Sequence, residues 1–123
     1  LAATALPKFI DLSGDARAGV IRGVEASMRS ANVMIYGKAA ARNALSGTTT
    51  ISATNSINVE VAFGYAADAA ALSSVMDLSP ASDFALVGTT AIRHAKATGT
   101  CQVTYTPATA TTQPSYQADT SGC

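Results

Sequence analysis

The sequence predicts an α+β fold: one long N-terminal helix packed on a small antiparallel β-sheet, with a disulfide-closed loop at the C-terminal end. Three observations carry that expectation. Apolar residues recur at helical spacing through roughly the first third of the chain. The spacing then changes to strict alternation at 57–63 and again at 101–105. Both cysteines, Cys101 and Cys123, lie in the C-terminal part. The length of 123 residues suits a single domain, 1–123.

The helix is expected over about 5–43, so that 1–43 is the helical part of the domain. At about 100° per residue, Phe9, Leu12, Ala16, Val20, Val24, Met28, Ala31 and Ile35 fall in one broad sector. Lys8, Asp11, Asp15, Arg22, Glu25 and Arg29 fall opposite. Glu25 and Arg29 form an i,i+4 pair in the favourable order. Arg17 and Lys38 interrupt the apolar sector and are expected to reach water along their own stems. A rod of this length measures about 57 Å, more than a small head covers. Pro7 is expected to kink it, and Ser13-Gly14 is a second soft point.

The remaining elements follow in order. Residues 44–56, ALSGTTTISATNS, read as a surface connection that can hold a short strand. Residues 57–106 read as the sheet with an inserted short helix. Ile57, Val59, Val61 and Phe63 alternate as a half-buried strand. Residues 65–78 return to helix, with Leu72, Val75 and Met76 inward. SPASD is a turn around Pro80, and Phe84–Val87 is a short strand. Residues 88–100 read either as a hairpin edge or as an extended loop. Cys101, Val103 and Tyr105 alternate in a last strand. The Pro/Thr/Ser-rich tail after it has no periodicity and is expected to be fixed only at its ends, within a cystine loop 101–123.

Composition narrows the function classes. The 26 Ala inflate the apolar share of 48%, so large core side chains are few and covalent support is useful. Lys+Arg equals Asp+Glu at 8 each, which argues against a nucleic-acid binder. The charge is unevenly placed. Residues 1–43 hold six basic and three acidic residues, and the rest holds two basic and five acidic. A basic stem and an acidic head can attract each other between copies; a solvated surface with chance asymmetry explains the pattern equally well. No CxxC is present, so a bridge between Cys101 and Cys123 is favoured over two free thiols, and with it a compartment outside the cytoplasm. A loop of this size contributes about 3 kcal/mol in the chain-entropy model. No apolar run is long enough to span a membrane.

Catalytic chemistry finds little support. His94 is the single histidine, lies between Arg93 and Lys96, and reads as a surface residue. Asp11 and Asp15 share the polar helix face beside Lys8 and read as a solvated pair. Asp77, Asp83 and Asp119 have no EF-hand spacing. No phosphate-binding glycine loop, nucleophile elbow or HExxH occurs. Tyr65, Tyr105 and Tyr116 can supply a stacking surface for sugar or nucleic acid, although Tyr65 and Tyr105 read first as core or core-edge residues. The expectation is a non-enzyme with no catalytic residue, cofactor or metal.

The opening LAATALPKFIDLSGDARAGVIRGVEASM resembles the junction in type IV pilins where an apolar half-helix meets a proline and then an amphipathic half. Pro7 stands at the family's helix-interrupting proline. IYGKAAA (Ile35–Ala41), VAFGYAADAAALSSVMDLS, CQVTYT and ADTSGC extend the likeness over nearly the whole chain. It is most specific at the two ends and weak across 44–56 and 106–117, and it points to type IVa major pilins of the mannose-sensitive haemagglutinin kind. The resemblance implies the type IV pilin fold and a structural filament subunit for surface attachment and twitching motility. It implies that leader, cleavage site and an apolar half-helix precede Leu1. It implies self-association, inner-membrane anchoring before assembly, a prepilin peptidase and an assembly machinery as partners, and surfaces or host glycans as targets, with no nucleic acid. The place is then the extracellular pilus. Phe9, Leu12, Val20 and Val24 are assigned to the assembly face, and 44–56 with 101–123 to the exposed surfaces that touch neighbours. Two alternatives stay open: a major pseudopilin of a type II secretion system, and a secreted carbohydrate-binding module.

Overall fold

The computed structural model describes residues 12–123. Helix α1 runs Ser13–Ala41. Its 29 residues make a rod of about 44 Å. The expected stretch ahead of it, with the kink at Pro7 and with Phe9, lies outside the described residues. Asn43, at φ 54, ends the helix in the left-handed region. Ala44 N–H then reaches Ala39 O at 2.8 Å, and Asn43 N–H reaches Ala40 O at 3.2 Å. That pair of bonds satisfies carbonyls the last turn would otherwise orphan.

The buried stripe of α1 is Ile21, Val24, Met28, Asn32, Ile35 and Ala39. It corrects the expected stripe. Each step of four residues advances about 400°, so a series built on i,i+4 drifts by about 40° per step. Leu12 and Val20 therefore drift out of the face that buries Val24, Met28 and Ile35, and they are exposed at 61% and 40%.

Two sheets form where one was expected. The first has the order β1-β2-β3, from Thr48–Ser52, Asn58–Ala62 and Tyr65–Ala66. Strand β1 is the short strand in the connection, and Ile51 turns inward from it. It pairs with β2 from Thr48 opposite Ala62 to Ser52 opposite Asn58. In β2 the alternation holds: Val59 and Val61 are fully buried while Asn58 and Glu60 are exposed. Phe63 and Gly64 both take positive φ, 52° and 89°, and turn the chain back into β3. For a bulky residue such as Phe63 that conformation costs about 1–2 kcal/mol. Helix α2 is consequently only Ala69–Ser73, shorter than expected. Asp68 caps it, its Oδ1 accepting from Ala71 N–H at 2.7 Å.

The second sheet has the order β4-β5-β6-β7, from Phe84–Val87, Ala91–His94, Gln102–Thr106 and Ser115–Asp119, all antiparallel. The ambiguous 88–100 stretch holds β5, an inner strand. The tail expected to be irregular contains β7, paired with β6 from Thr106 opposite Ser115 to Gln102 opposite Asp119. Helix α1 packs across both sheets, and the core of Ile21, Met28, Val59, Val61, Leu72, Ile92 and Val103 fills the space between.

Candidate assembly face and the elements that fix it

Asn32 locks the helix to both sheets. It is a polar residue within the apolar stripe and only 1% exposed. Its Nδ2 donates to the hydroxyls of Tyr105 and Tyr116, both at 2.8 Å. Its Oδ1 accepts from Ala66 N–H at 2.8 Å, and Tyr105 O–H donates to Ala66 O at 2.7 Å. Strands β3, β6 and β7 are thus tied to one side chain of α1. Burial pushes both tyrosine hydroxyls up from their ordinary value, against the Asn32 bond, which pulls the other way. Arg29 sits 4.6 Å over the Tyr116 ring and also meets Glu25 at 3.6 Å, the expected i,i+4 pair. Tyr65 is half-buried and Tyr105 buried, as core-edge and core residues.

A cross-link closes the C-terminal end. Cys101 and Cys123 form a disulfide with their Cα atoms 4.7 Å apart. Gly99 and Gly122 press their backbones together beside it, and a Cβ on Gly122 would fall 2.6 Å from the carbonyl carbon of Gly99. Arg17 does not reach past the head to water. Its Nε donates to Cys123 O at 2.6 Å, so the lower helix and the chain end are joined. Arg22 adds a longer bond to Thr120. Asp119 accepts from the Ser121 hydroxyl and backbone N–H, which holds its carboxyl below the usual range.

Among the described residues the outer side of α1 has no such partners. Val33 and Met34 are exposed at 68% and 76%, whereas Tyr36, 36% exposed, stacks on Tyr65 with ring centroids 4.6 Å apart. A Cβ built on Gly19, Gly23 or Gly37 would meet nothing within 4 Å. These glycines lie opposite the buried stripe, and no contact among the described residues requires them. An open groove of about 430 Å³ runs along the flank of the helix, between Ala26, Ser30 and Met34 on one side and Val75 and Met76 on the other. On the helix Arg22 and Arg29 are exposed, Arg29 paired with Glu25, together with Asp15, while Glu60, Asp77 and Asp119 are exposed on the head.

Of the four positions assigned to an assembly face, Leu12 and Val20 are open. Val24, 5% exposed, packs inside its own subunit and leaves that set. Phe9 lies outside the described residues. His94 corrects the surface reading: it is buried at 5%, its Nδ1 accepting from Lys96 N–H at 3.2 Å. Alternation on β5 puts Ile92 and His94 on the same face, a signal the flanking Arg93 and Lys96 obscured. Asn32, the glycines on the outer face and the Phe63-Gly64 turn are the positions that sequence reasoning missed. Among the described residues no three of His, Cys, Asp and Glu group as metal ligands, and no helix is long and apolar enough to cross a membrane. No family model matches this chain, and no curated protein or solved structure matches it either.

Proposed function

We propose that this chain is the structural subunit of a type IV pilus filament, serving surface attachment and twitching motility. The observation that carries the reading is the unpartnered face of α1. Glycine in a helix interior costs about 1 kcal/mol relative to alanine. Three such residues with open space above them are explained if a second copy packs close to the backbone there. Exposed Leu12, Val20, Val33 and Met34 supply apolar area beside them. The excess of basic residues in 1–43 and of acidic residues in the rest of the chain favours attraction between copies. A contact between two different faces builds a helical fibre when its rotation does not close into a ring.

In this reading the subunit is held in the inner membrane until a prepilin peptidase and an assembly machinery engage it. After assembly the heads lie at the cell surface and meet solid surfaces or host glycans. The disulfide favours this over the secretion-system alternative. The full-length chain is expected to form thin filaments visible by negative-stain electron microscopy. Particles that stay monomeric and monodisperse in detergent-free buffer would overturn the reading.

A further inference from the structure

We propose that the apolar trough between the C-terminal half of α1 and residues 53, 54 and 75 binds a free, medium-chain fatty acid, with its carboxylate on Lys38. The trough measures about 270 Å³ and is lined by Ala31, Met34, Ile35, Lys38, Ala53 and Val75, with the exposed Thr54 beside them. Ile35 is buried, Ala31, Ala53 and Val75 are half-buried and Met34 is exposed, so water reaches apolar surface along its length. Lys38 is the basic residue that breaks the apolar periodicity of the helix. It is half-buried, and among the described residues no carboxylate pairs with its ammonium group. A cation in the last turn suits the helix dipole, and Lys38 stands there. The dipole accounts for the charge but not for the apolar floor beside it.

The groups around the trough complement an aliphatic carboxylate. The stem of Lys38 continues the apolar wall up to its charged head. The Thr54 hydroxyl accepts from Ser56 N–H at 3.4 Å, and among the described residues its own proton has no acceptor. A carboxylate held by this ammonium and hydroxyl, with methylenes over Met34, Ile35 and Val75, satisfies all of these groups at once. The open groove on the helix flank shares Ala31, Met34 and Val75 with the trough and has Asp77 on its wall. Asp77 repels a second negative end, so the site favours a monocarboxylate over a dicarboxylate of the same length. The inference goes beyond the filament reading: the chain can bind a fatty acid without assembling, and assemble without binding one.

The test is a heteronuclear NMR titration of the folded chain with octanoate below its micelle-forming concentration. Octanol, octyltrimethylammonium and suberate serve as comparisons. Octanoate is expected to shift the amides of 31–38, 53–54 and 75 in a saturable way, octanol and suberate more weakly, and the cation not at all. Lys38→Gln should weaken octanoate binding by about tenfold, and Lys38→Arg should retain most of it. Met34→Glu, at an exposed position, should weaken it several-fold without altering the melting temperature. Absence of saturable shifts with octanoate overturns the proposal. So does octanoate binding that is undiminished in Lys38→Gln, or any of the three comparison ligands binding as tightly as octanoate. Shifts at these amides that grow with protein concentration alone, alongside a rising sedimentation coefficient, would assign the trough to a second copy and overturn it as well.

Discussion

Asn32 shows how one side chain can settle the position of a helix. Its amide satisfies the Tyr105 hydroxyl and the Ala66 N–H, both buried, and the half-buried Tyr116 hydroxyl. Removing it leaves three polar groups without this partner, and an unmade buried bond costs more than a made one gains. Asn32→Ala is therefore expected to destabilise the fold by about 2–4 kcal/mol, read as a lower urea midpoint; a loss under about half a kcal/mol would show that the network relaxes onto other partners. The same network has a pH signature. Burial raises Tyr105 and Tyr116 from the ordinary 10.0, so the fold favours their neutral forms. Their contribution is complete below that value. It declines as pH climbs beyond it, because the unfolded chain then ionises and the folded chain does not. The phenolate absorbance of Tyr105 and Tyr116 should therefore appear at higher pH in the folded protein than in the chain unfolded by urea. Coincident curves for Tyr105→Phe and Tyr116→Phe difference spectra in the two states would remove the desolvation argument. Little of this was legible beforehand: Asn32 lies on a helix rich in polar residues, and only the third dimension brings Tyr105 and Tyr116 to it.

At the scale of elements, period decided what could be read. Helix α1, strand β2 and strand β4 have enough apolar positions to declare a spacing, and they fold as expected. Strand β7 does not. In SYQAD only Tyr116 and Ala118 are apolar, and both are half-buried, because one face of an edge strand lies on the core and the other meets water. Helix α2 was overread for a related reason. Alanine-rich YAADAAALSS favours helix locally, but the left-handed turn at Phe63-Gly64 commits Tyr65 and Ala66 to pairing with Ala62 and Val61 first. The candidate face was half legible: exposed Leu12 and Val20 lay within the reading, whereas Gly19, Gly23 and Gly37 passed as ordinary helix positions. A separable prediction follows for them. With nothing within 4 Å to clash, Gly19→Ala and Gly23→Ala should each stabilise the isolated subunit by about 0.5–1 kcal/mol, measured as a rise in melting temperature. If the face packs against a second copy, the same substitutions should weaken assembly. Stabilisation with unimpaired filaments would mean that the glycines serve neither subunit nor fibre.

Across the whole molecule, α1 is the common support and the disulfide is its farthest brace. The first sheet needs no cross-link, since β1, β2 and β3 follow one another through short turns. The second sheet ends on β7, an edge strand that pairs only with β6. Its retention rests on the Tyr116 bond to Asn32, on Arg17 reaching Cys123 O, and on the Cys101–Cys123 bridge. The bridge spans a sequence separation of 22. Closing a loop of that size removes freedom worth about 3 kcal/mol from the unfolded chain. Replacing both cysteines with serine should cost most of that sum in global stability, with a second effect that is local. Without the bridge the chain end can leave while α1 and the first sheet stay paired, since the Ala66 N–H bond to Asn32 that joins those two does not run through it. Hydrogen exchange should therefore quicken far more at 115–119 than at 58–62. Equal acceleration at both sites would mean that the bridge acts only through the unfolded state. No acceleration at 115–119, with the melting temperature unchanged, would mean that Asn32 and Arg17 hold β7 without it.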